Sequence, residues 1–316
     1  MRIGVMNVSG SLGRTAVGHL KGRVGWEKAF AVTRSPEEVA RLEPRTVSLS
    51  AAAPGSLPAL LAQVDRLLVV GSRDPAPDEE AWHAAAVAAA GSAGVERIVY
   101  MSLLRADGSP LPGAAAHLRL EAQVAACSVP STILRVGCFA EDYLIGLERV
   151  VRSSRLPGAA GAAPFSPASV TDYAFAAASA LLGDGHEGLT YELAGDRRWT
   201  LAEVAAEIAW QTRRDVACEE LSPEGLAAEM RAMGLSAGEA ADRVALDAAA
   251  AAGALLEERR QMGGLRYFPT QSLPTSVWLA LMGTGLERLP FRGIRPGTGG
   301  RLKPVPRALA GIRRHA

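Results

Sequence analysis

Residues 2–13 read RIGVMNVSGSLG, and this stretch decides the fold that the sequence predicts. The short apolar run Arg2–Met6 is typical of a buried parallel strand, and Arg14–Leu20 carries apolar residues at helical spacing. The glycines therefore lie where a strand turns into a helix. A helix N-terminus offers free N–H groups and the positive end of the helix dipole, which a phosphate can approach where side chains are absent.

Glycine-rich turns of this kind follow the pattern G-x-G-x-x-G or G-x-x-G-x-x-G, and this chain matches the second pattern except at its first position, Asn7. Asparagine tolerates a positive φ better than most residues, so we expect the turn to survive. Its side chain, however, is expected to take space that a pyrophosphate needs. The candidate cofactor-binding positions of this turn are Asn7, Ser9, Gly10, Ser11, Leu12 and Gly13.

Strands and helices continue to alternate downstream. Each strand candidate is a short apolar run, and helical periodicity follows it. The six strands predicted in this part are Arg2–Met6, Ala29–Thr33, Thr46–Leu49, Arg66–Val70, Arg97–Met101 and Thr132–Val136. Such repetition predicts an α/β fold, a Rossmann-type doubly wound parallel sheet with the strand order 3-2-1-4-5-6.

The second half of the chain is richer in helices, and further strands are predicted at Thr190–Leu193 and around Val216–Glu219. Thr200 and Glu203 form a capping-box signature at the start of a helix. We expect three parts: a dinucleotide-binding-type Rossmann core over 1–155, a smaller α/β substrate lobe over 156–282, and a basic, Pro/Gly-rich, poorly ordered tail over 283–316.

Composition narrows the class of protein. The 316 residues are 48% apolar, which is ample for a sizeable core, and the net charge of +1 gives no argument for binding nucleic acid or an anionic membrane. No apolar run is long enough to span a membrane. The three cysteines are too widely spaced for a zinc motif and odd in number for a disulfide framework, so we expect a cytoplasmic protein without a metal. Formation of a homo-oligomer stays open.

Four segments downstream of the glycine turn carry a family resemblance. They are Val95–Leu104 (VERIVYMSLL), Phe139–Tyr143 (FAEDY), Val170–Ala174 (VTDYA) and Gly185–Gly195 (GHEGLTYELAG), the last followed by Trp199–Leu201. In these segments the chain resembles the NmrA-like, NADPH-dependent quinone oxidoreductases, an atypical branch of the short-chain dehydrogenases/reductases. The resemblance implies NADP(H) as cofactor and a quinone-like or other conjugated small molecule, such as an aromatic polyketide, as substrate.

Cofactor choice in this fold usually depends on the residue that follows the second strand. An acidic residue there holds the ribose hydroxyls of NAD, whereas an arginine pairs with the 2′-phosphate of NADP. The chain has Thr33-Arg34 at this point, so Arg34 favours NADP(H). After the fourth strand the family places small polar residues beside the cofactor, which corresponds here to Gly71 and Ser72, followed by the bulkier Arg73.

The chain departs from the family pattern at a second position besides Asn7. The resemblance implies a lysine after the glutamate of an H-x-x-x-E-K run, and the corresponding run is His117-Leu118-Arg119-Leu120-Glu121-Ala122. The lysine position is therefore Ala122. Because lysine occurs only at Lys21, Lys28 and Lys303, no Y-x-x-x-K motif exists elsewhere in the predicted core. Because both Asn7 and Ala122 differ from the family pattern, the sequence leaves open whether NADP(H) is still bound.

Candidate reactive groups follow the fifth and sixth strands, at the sheet edge where open α/β folds bind ligands. His117 and Glu121 are four residues apart on one helical face, so the carboxylate is a candidate to orient the imidazole for proton transfer. Asp142 and Tyr143 are candidates for hydrogen bonding to a phenolic or keto substrate. These four are the candidate catalytic residues. The candidate substrate-binding residues are Ser102, Leu103, Cys138 and Phe139.

Three functions remain open from the sequence. The first is an NADPH-dependent reductase of quinone-like molecules, which depends mainly on the resemblance. The second is a cofactor-independent acid–base enzyme on the same fold, such as a cyclase, isomerase or lyase. The third is a non-catalytic sensor of dinucleotides or redox state. Fold-level analogy alone does not decide among them.

Overall fold

The structure is a computed structural model that describes residues 1–42, 48–50, 54–266, 268–282 and 284. Among these residues no helix is long and apolar enough to cross a membrane. The tail expected over 283–316 lies, apart from residue 284, outside the described residues.

The described chain contains the following strands and helices in order. The strands are β1 (Ile3–Met6), β2 (Ala29–Thr33), β3 (Ser48–Ser50), β4 (Arg66–Val70), β5 (Arg97–Leu103), β6 (Ser131–Val136), β7 (Arg155–Gly158), β8 (Thr190–Leu193) and β9 (Ala217–Glu220). The α-helices are α1 (Ser11–Val24), α2 (Pro36–Leu42), α3 (Leu57–Leu61), α4 (Pro77–Ala90), α5 (Ala114–Ala126), α6 (Leu147–Ser153), α7 (Val170–Leu182), α8 (Leu201–Thr212), α9 (Pro223–Ala232), α10 (Ala237–Ala251) and α11 (Leu273–Leu281).

The main sheet has seven strands in the order β3-β2-β1-β4-β5-β6-β8, and all its pairs are parallel. The predicted order of the first six strands and the central place of β1 are therefore confirmed. Ile3 pairs with Ala29 on one side and with Arg66 on the other. The sequence order reverses direction between β1 and β4, which is the switch point where such sheets bind ligands.

Alternate residues of each central strand face opposite layers of helices, as the two-residue period of a strand requires. Leu68 and Val70 pack with residues of α1 and α7, whereas Leu67 and Val69 pack with residues of α3, α4 and α5. Both faces are apolar because both are covered. This explains why the strands appear in the sequence as nearly continuous apolar runs.

A second core lies on the C-terminal side of the sheet. It joins α6, α8, α10 and α11 with the short parallel pair β7–β9. Helix α8 begins with the predicted capping box, in which the Thr200 hydroxyl accepts the Glu203 N–H at 3.2 Å and Glu203 accepts the Thr200 N–H at 2.8 Å. Strand β7 was not predicted, because Arg155–Gly158 includes Pro157 and Gly158 and lacks an apolar run.

The division of the chain at residue 155 stays a prediction. Two elements beyond that residue, α7 and β8, belong to the main sheet and its helical layer. Strand β8 extends the sheet by pairing with β6, from Ile133 with Thr190 to Val136 with Leu193. The C-terminal part of the chain thus contributes both to the sheet and to the second core.

Candidate active site

A cleft of about 260 Å³ opens at the carboxyl ends of β1, β4, β5 and β6. Most of the residues singled out from the sequence line it: Asn7, Gly10, Ser11, Leu12, Gly13, Gly71, Ser72, Ser102, Leu103, His117, Phe139 and Asp142. Five predicted site residues do not line it: Ser9, Arg34, Glu121, Cys138 and Tyr143. The roles of all these residues stay predictions.

The glycine turn keeps the backbone of a dinucleotide site although its first glycine is replaced. Asn7 adopts a φ of 57°, a left-handed conformation that favours glycine and that asparagine tolerates. A Cβ atom on Gly13 would lie 2.2 Å from the Asn7 carbonyl oxygen, so only glycine allows α1 to pack this closely on the turn. A Cβ atom on Gly10 would meet only the same oxygen, at 4.0 Å, so the space beside Gly10 is open.

The N-terminus of α1 faces this turn without a side-chain cap. Gly10 is the N-cap residue and has no side chain, and among the described residues no side chain caps the first N–H groups of the helix. Ser11 and Leu12 in the first turn, together with Gly13, line the cleft. Backbone donors without an intrahelical acceptor and the positive end of the dipole form an anion-binding site. The residues present therefore fit the pyrophosphate of a dinucleotide.

The side chain of Asn7 connects this turn with the end of β4. Its Nδ2 atom donates to the Ser72 hydroxyl at 2.9 Å and to the Glu79 carboxylate at 3.2 Å. Glu79 also accepts from the Ser72 N–H at 3.1 Å and from the Ser72 hydroxyl at 2.8 Å. The amide thus forms part of the cleft wall, where it is held by Ser72, which follows β4, and by Glu79 of α4.

His117 lies at the cleft with both ring nitrogens engaged. Its Nε2 atom is 2.9 Å from the Ser72 carbonyl oxygen, and its Nδ1 atom is 2.6 Å from the Tyr100 hydroxyl. A carbonyl only accepts, so Nε2 carries the proton; burial lowers the pKa of His117, so Nδ1 accepts from Tyr100. Both ring nitrogens therefore already have partners, neither of which is Glu121, and a role of His117 in proton transfer stays a prediction.

Glu121 serves an ion pair instead of orienting His117. Its carboxylate accepts two hydrogen bonds from Arg135, at 2.9 and 2.8 Å, and one from the Ser102 hydroxyl at 2.5 Å. Arg135 also pairs with Glu192 of β8 at 2.9 Å. The four-residue spacing places the side chains of His117 and Glu121 on the buried side of α5. The Glu121 carboxylate, however, binds Arg135 of β6 and not His117.

Asp142 is held by a charged partner from the other wall of the cleft. The Arg73 guanidinium donates to its Oδ2 atom at 2.7 Å, and the Phe139 N–H donates to the same oxygen at 3.0 Å. The Arg73 Cζ atom lies 5.6 Å from the centre of the Phe139 ring. Both charged side chains are 18% exposed, which keeps the ion pair within reach of a ligand.

Two other candidates lie in the second core. Tyr143 is fully buried, stacks on Phe165 with ring centres 4.2 Å apart, and makes no hydrogen bond to a described residue through its hydroxyl. Cys138 is 1% exposed, and burial raises its pKa to about 12. Neither side chain lines the cleft, so this geometry gives no support to the expectation that they contact a substrate.

Arg34 and Ala122 lie outside the cleft lining. Arg34 is exposed at the end of β2, where its guanidinium pairs with Asp78 at 3.0 Å. This is the end of the strand at which the fold holds the adenosine ribose. Ala122 is exposed on α5, on a different side of the helix from the buried His117 and Glu121.

Sequence reasoning did not assign a role to Arg73 or Asp242, which line the cleft. The sequence marks Arg73 only as bulkier than the small polar residues expected beside the cofactor. Asp242 comes from α10, a hundred residues beyond Asp142, the next cleft residue along the chain, and no local pattern marks it. Among the described residues, no group of three or more His, Cys, Asp or Glu side chains is placed to hold a metal ion.

Comparison with known proteins identifies the family. A family model described as NAD(P)H-binding matches residues 8–180. The chain is similar to quinone oxidoreductase 2 of Escherichia coli strain K12, with 34% identity over 278 residues that cover 87% of this chain and 97% of that protein.

Solved structures give the same result. The NADPH-dependent quinone oxidoreductase QOR2 of Escherichia coli, complexed with NADPH, is similar with a TM-score of 0.79 and 32% identity, covering 88% of this chain and 99% of that one. The triphenylmethane reductase of Citrobacter sp., complexed with NADP(H), has a TM-score of 0.81 and 27% identity, covering 89% and 100%. The chain therefore belongs to the NAD(P)H-binding family, within its NmrA-like branch of atypical short-chain dehydrogenases/reductases.

Proposed function

We propose that this protein is an NADPH-dependent reductase of quinone-like or other conjugated small molecules. The observation that carries the proposal is the uncapped N-terminus of α1, which opens on the cleft at the switch point between β1 and β4. Membership of the NAD(P)H-binding family and the activities named for its relatives, reduction of quinones and of triphenylmethane dyes, support it.

The residues that would hold the cofactor come from three loops. Gly10, Ser11 and Gly13 would bind the pyrophosphate through backbone N–H groups. Arg34 would pair with the 2′-phosphate after leaving Asp78, and Ser72 would lie beside the nicotinamide half. When bound, NADPH supplies the hydride for the reaction.

The chain's own side chains form the acceptor end of the cleft. Phe139 offers an aromatic surface for a planar ring, and Leu103 excludes water from the end of β5. The Arg73–Asp142 pair supplies charge at this end. His117, neutral and hydrogen-bonded on both sides, helps to fix the wall through the Ser72 carbonyl.

The cofactor-independent acid–base alternative has less support. This alternative requires His117 with Glu121, or Asp142, as acid–base groups. His117 is hydrogen-bonded to Tyr100, and Glu121 is paired with Arg135. Asp142 is paired with Arg73. We infer a cytoplasmic location from the three free cysteines and a small-molecule substrate from the cleft. The sensor function and homo-oligomer formation stay hypotheses.

Titration of the purified protein with NADPH, followed by calorimetry or nicotinamide fluorescence, tests the proposal. We expect a dissociation constant in the low micromolar range, about −8 kcal/mol, and quinone-dependent oxidation of NADPH in a steady-state assay. An absence of binding up to about 1 mM NADPH would falsify the proposed function. Product formation from a substrate in dialysed, nucleotide-free buffer would instead favour the cofactor-independent enzyme.

A further inference from the structure

A second cavity adjoins the cleft at the end opposite the glycine turn. Its volume is about 440 Å³, and its apolar wall includes Ile145, Met233 and Leu246. Three residues line both the cleft and this cavity: Arg73, Asp142 and Asp242. A molecule that reaches from the cavity to the cleft therefore has to pass these three charged side chains.

The three side chains differ in how they are engaged. Asp142 accepts hydrogen bonds from Arg73 and from the Phe139 backbone. Among the described residues, Arg73 donates a hydrogen bond only to Asp142, and its side chain lines both the cleft and the second cavity. Asp242 is half-buried and makes no hydrogen bond or ion pair with any residue in the part of the chain that the structure describes.

Reduction of a quinone to a hydroquinone requires a proton as well as a hydride, and most titratable groups around the cleft are poorly placed to give one. His117 donates its only N–H to the Ser72 carbonyl. Glu121 is charge-paired with Arg135 and does not line the cleft. Asp142 is likewise charge-paired, with Arg73. The carboxylates of Glu121 and Asp142 are thus already engaged by arginines.

We propose that Asp242 is the general acid that protonates the reduced acceptor, and that Arg73 binds the acceptor oxygen beside it. This inference depends on the proposed reductase function. With NADPH bound, the acceptor would receive a hydride, that is, one proton together with two electrons, and NADP⁺ would be left. One carbonyl oxygen of the quinone then carries a negative charge, next to the Arg73 guanidinium. The O–H bond of Asp242 breaks, an O–H bond forms on the acceptor, and water returns the proton to Asp242.

The electrostatic surroundings of Asp242 suit this role. Burial raises the pKa of Asp242, and the charges of Asp74, Asp142 and Glu239 raise it further, while Arg73 lowers it. Two carboxylates in one site thus have different environments, with Asp142 paired and Asp242 unpaired. Activity with a quinone should fall as the pH rises through the pKa of Asp242, because only the protonated form is a donor.

Replacement of Asp242 by asparagine tests the proposal. Asp242→Asn should lower kcat with a benzoquinone about 100-fold and abolish the pH-dependent fall of the rate, since positioned general acids contribute about 10²–10⁴-fold. The dissociation constant for NADPH should not change. A cationic triphenylmethane dye is the matched acceptor, because hydride alone converts it to a neutral product. The kcat for its reduction by Asp242→Asn should fall far less than the kcat for the quinone, because no proton has to be transferred.

Asp215→Asn is the control variant, since Asp215 is an exposed aspartate that lines neither cavity. It should leave both reactions unchanged. Equal quinone rates and equal pH profiles for wild type and Asp242→Asn would overturn the assignment of Asp242 while leaving the reductase function intact. Loss of both the quinone and the dye reaction, in a variant that still binds NADPH, would overturn it as well. A wild-type protein that reduces no acceptor with NADPH would instead overturn the proposed function itself.

Discussion

The two ends of the cleft are built from different chemical groups. At the glycine end the donors are backbone N–H groups of α1, and the decisive residues are Gly10 and Gly13, which have no side chain. At the acceptor end the decisive groups are the charged side chains of Arg73, Asp142 and Asp242, which come from three separate parts of the chain. We infer that substitutions at the first end act through backbone geometry and substitutions at the second end through charge.

The largest effect is expected for Gly13→Val. A Cβ atom on Gly13 would lie 2.2 Å from the Asn7 carbonyl oxygen and 2.9 Å from the Val8 Cα atom, so the turn has to shift. We expect a decrease of about 1–3 kcal/mol in the free energy of unfolding and loss of measurable NADPH binding. Denaturant unfolding and calorimetry measure the two effects.

Gly18→Ala is the matched control in the same helix, because an added Cβ atom there meets nothing within 4 Å. It should retain NADPH binding and raise stability by up to about 1 kcal/mol. A Gly13→Val protein that binds NADPH normally would contradict the proposed geometry of the glycine end.

An intermediate effect is expected for Arg73→Ala at the acceptor end. The change removes a charge-assisted hydrogen bond to Asp142 and, under the inference above, the contact with the acceptor oxygen. We expect kcat/KM for a quinone to fall about 10-fold to 100-fold with little change in NADPH affinity, because hydrogen bonds to charged groups contribute about 1.5–3 kcal/mol. Arg73→Lys should recover part of the loss. A decrease in NADPH affinity as large as the decrease in kcat/KM would show that the two ends are not separable.

A smaller and more selective effect is expected for Arg34→Ala. The side chain is exposed and pairs with Asp78, so its contribution to a 2′-phosphate is limited by solvent and by competition with Asp78. NADPH affinity should fall by about 10-fold while NADH affinity stays nearly unchanged, since only NADPH carries the additional phosphate. Parallel titrations with both dinucleotides measure this ratio. Equal weakening of both would argue against Arg34 as the residue that selects the cofactor.

The smallest effect is expected for Asn7→Gly. Glycine suits a φ of 57° and opens the turn, but the change removes hydrogen bonds to Ser72 and Glu79. We expect NADPH affinity to rise only a few-fold and the free energy of unfolding to fall by about 1 kcal/mol. Addition of Ala122→Lys should add little, because Ala122 is exposed and does not line the cleft. A large gain from the lysine would show that position 122 reaches the cofactor after all.

The sequence by itself determined the strand–helix alternation, the order of the first six strands and the position of the glycine turn. These features depend on local patterns: apolar runs such as Leu67–Val70, whose neighbours face opposite layers, and a turn whose glycines are adjacent to a helix start. The positive φ of Asn7 was also foreseeable, because it follows from the residue type in a known turn. Such information lies within a few residues of the position it describes.

Only the tertiary structure decided which polar groups meet. The spacing of His117 and Glu121 indicated one helical face, yet Tyr100 bonds the first and Arg135 the second. Tyr143 follows Asp142 directly, but the two side chains point to different places, one into the second core and the other to the cleft. Asp242 reaches the cleft from α10, a hundred residues after Asp142 in the chain. Hydrogen bonds and ion pairs depend on separations of about 3 Å, and no sequence spacing fixes such a distance between residues of different elements until the elements have packed.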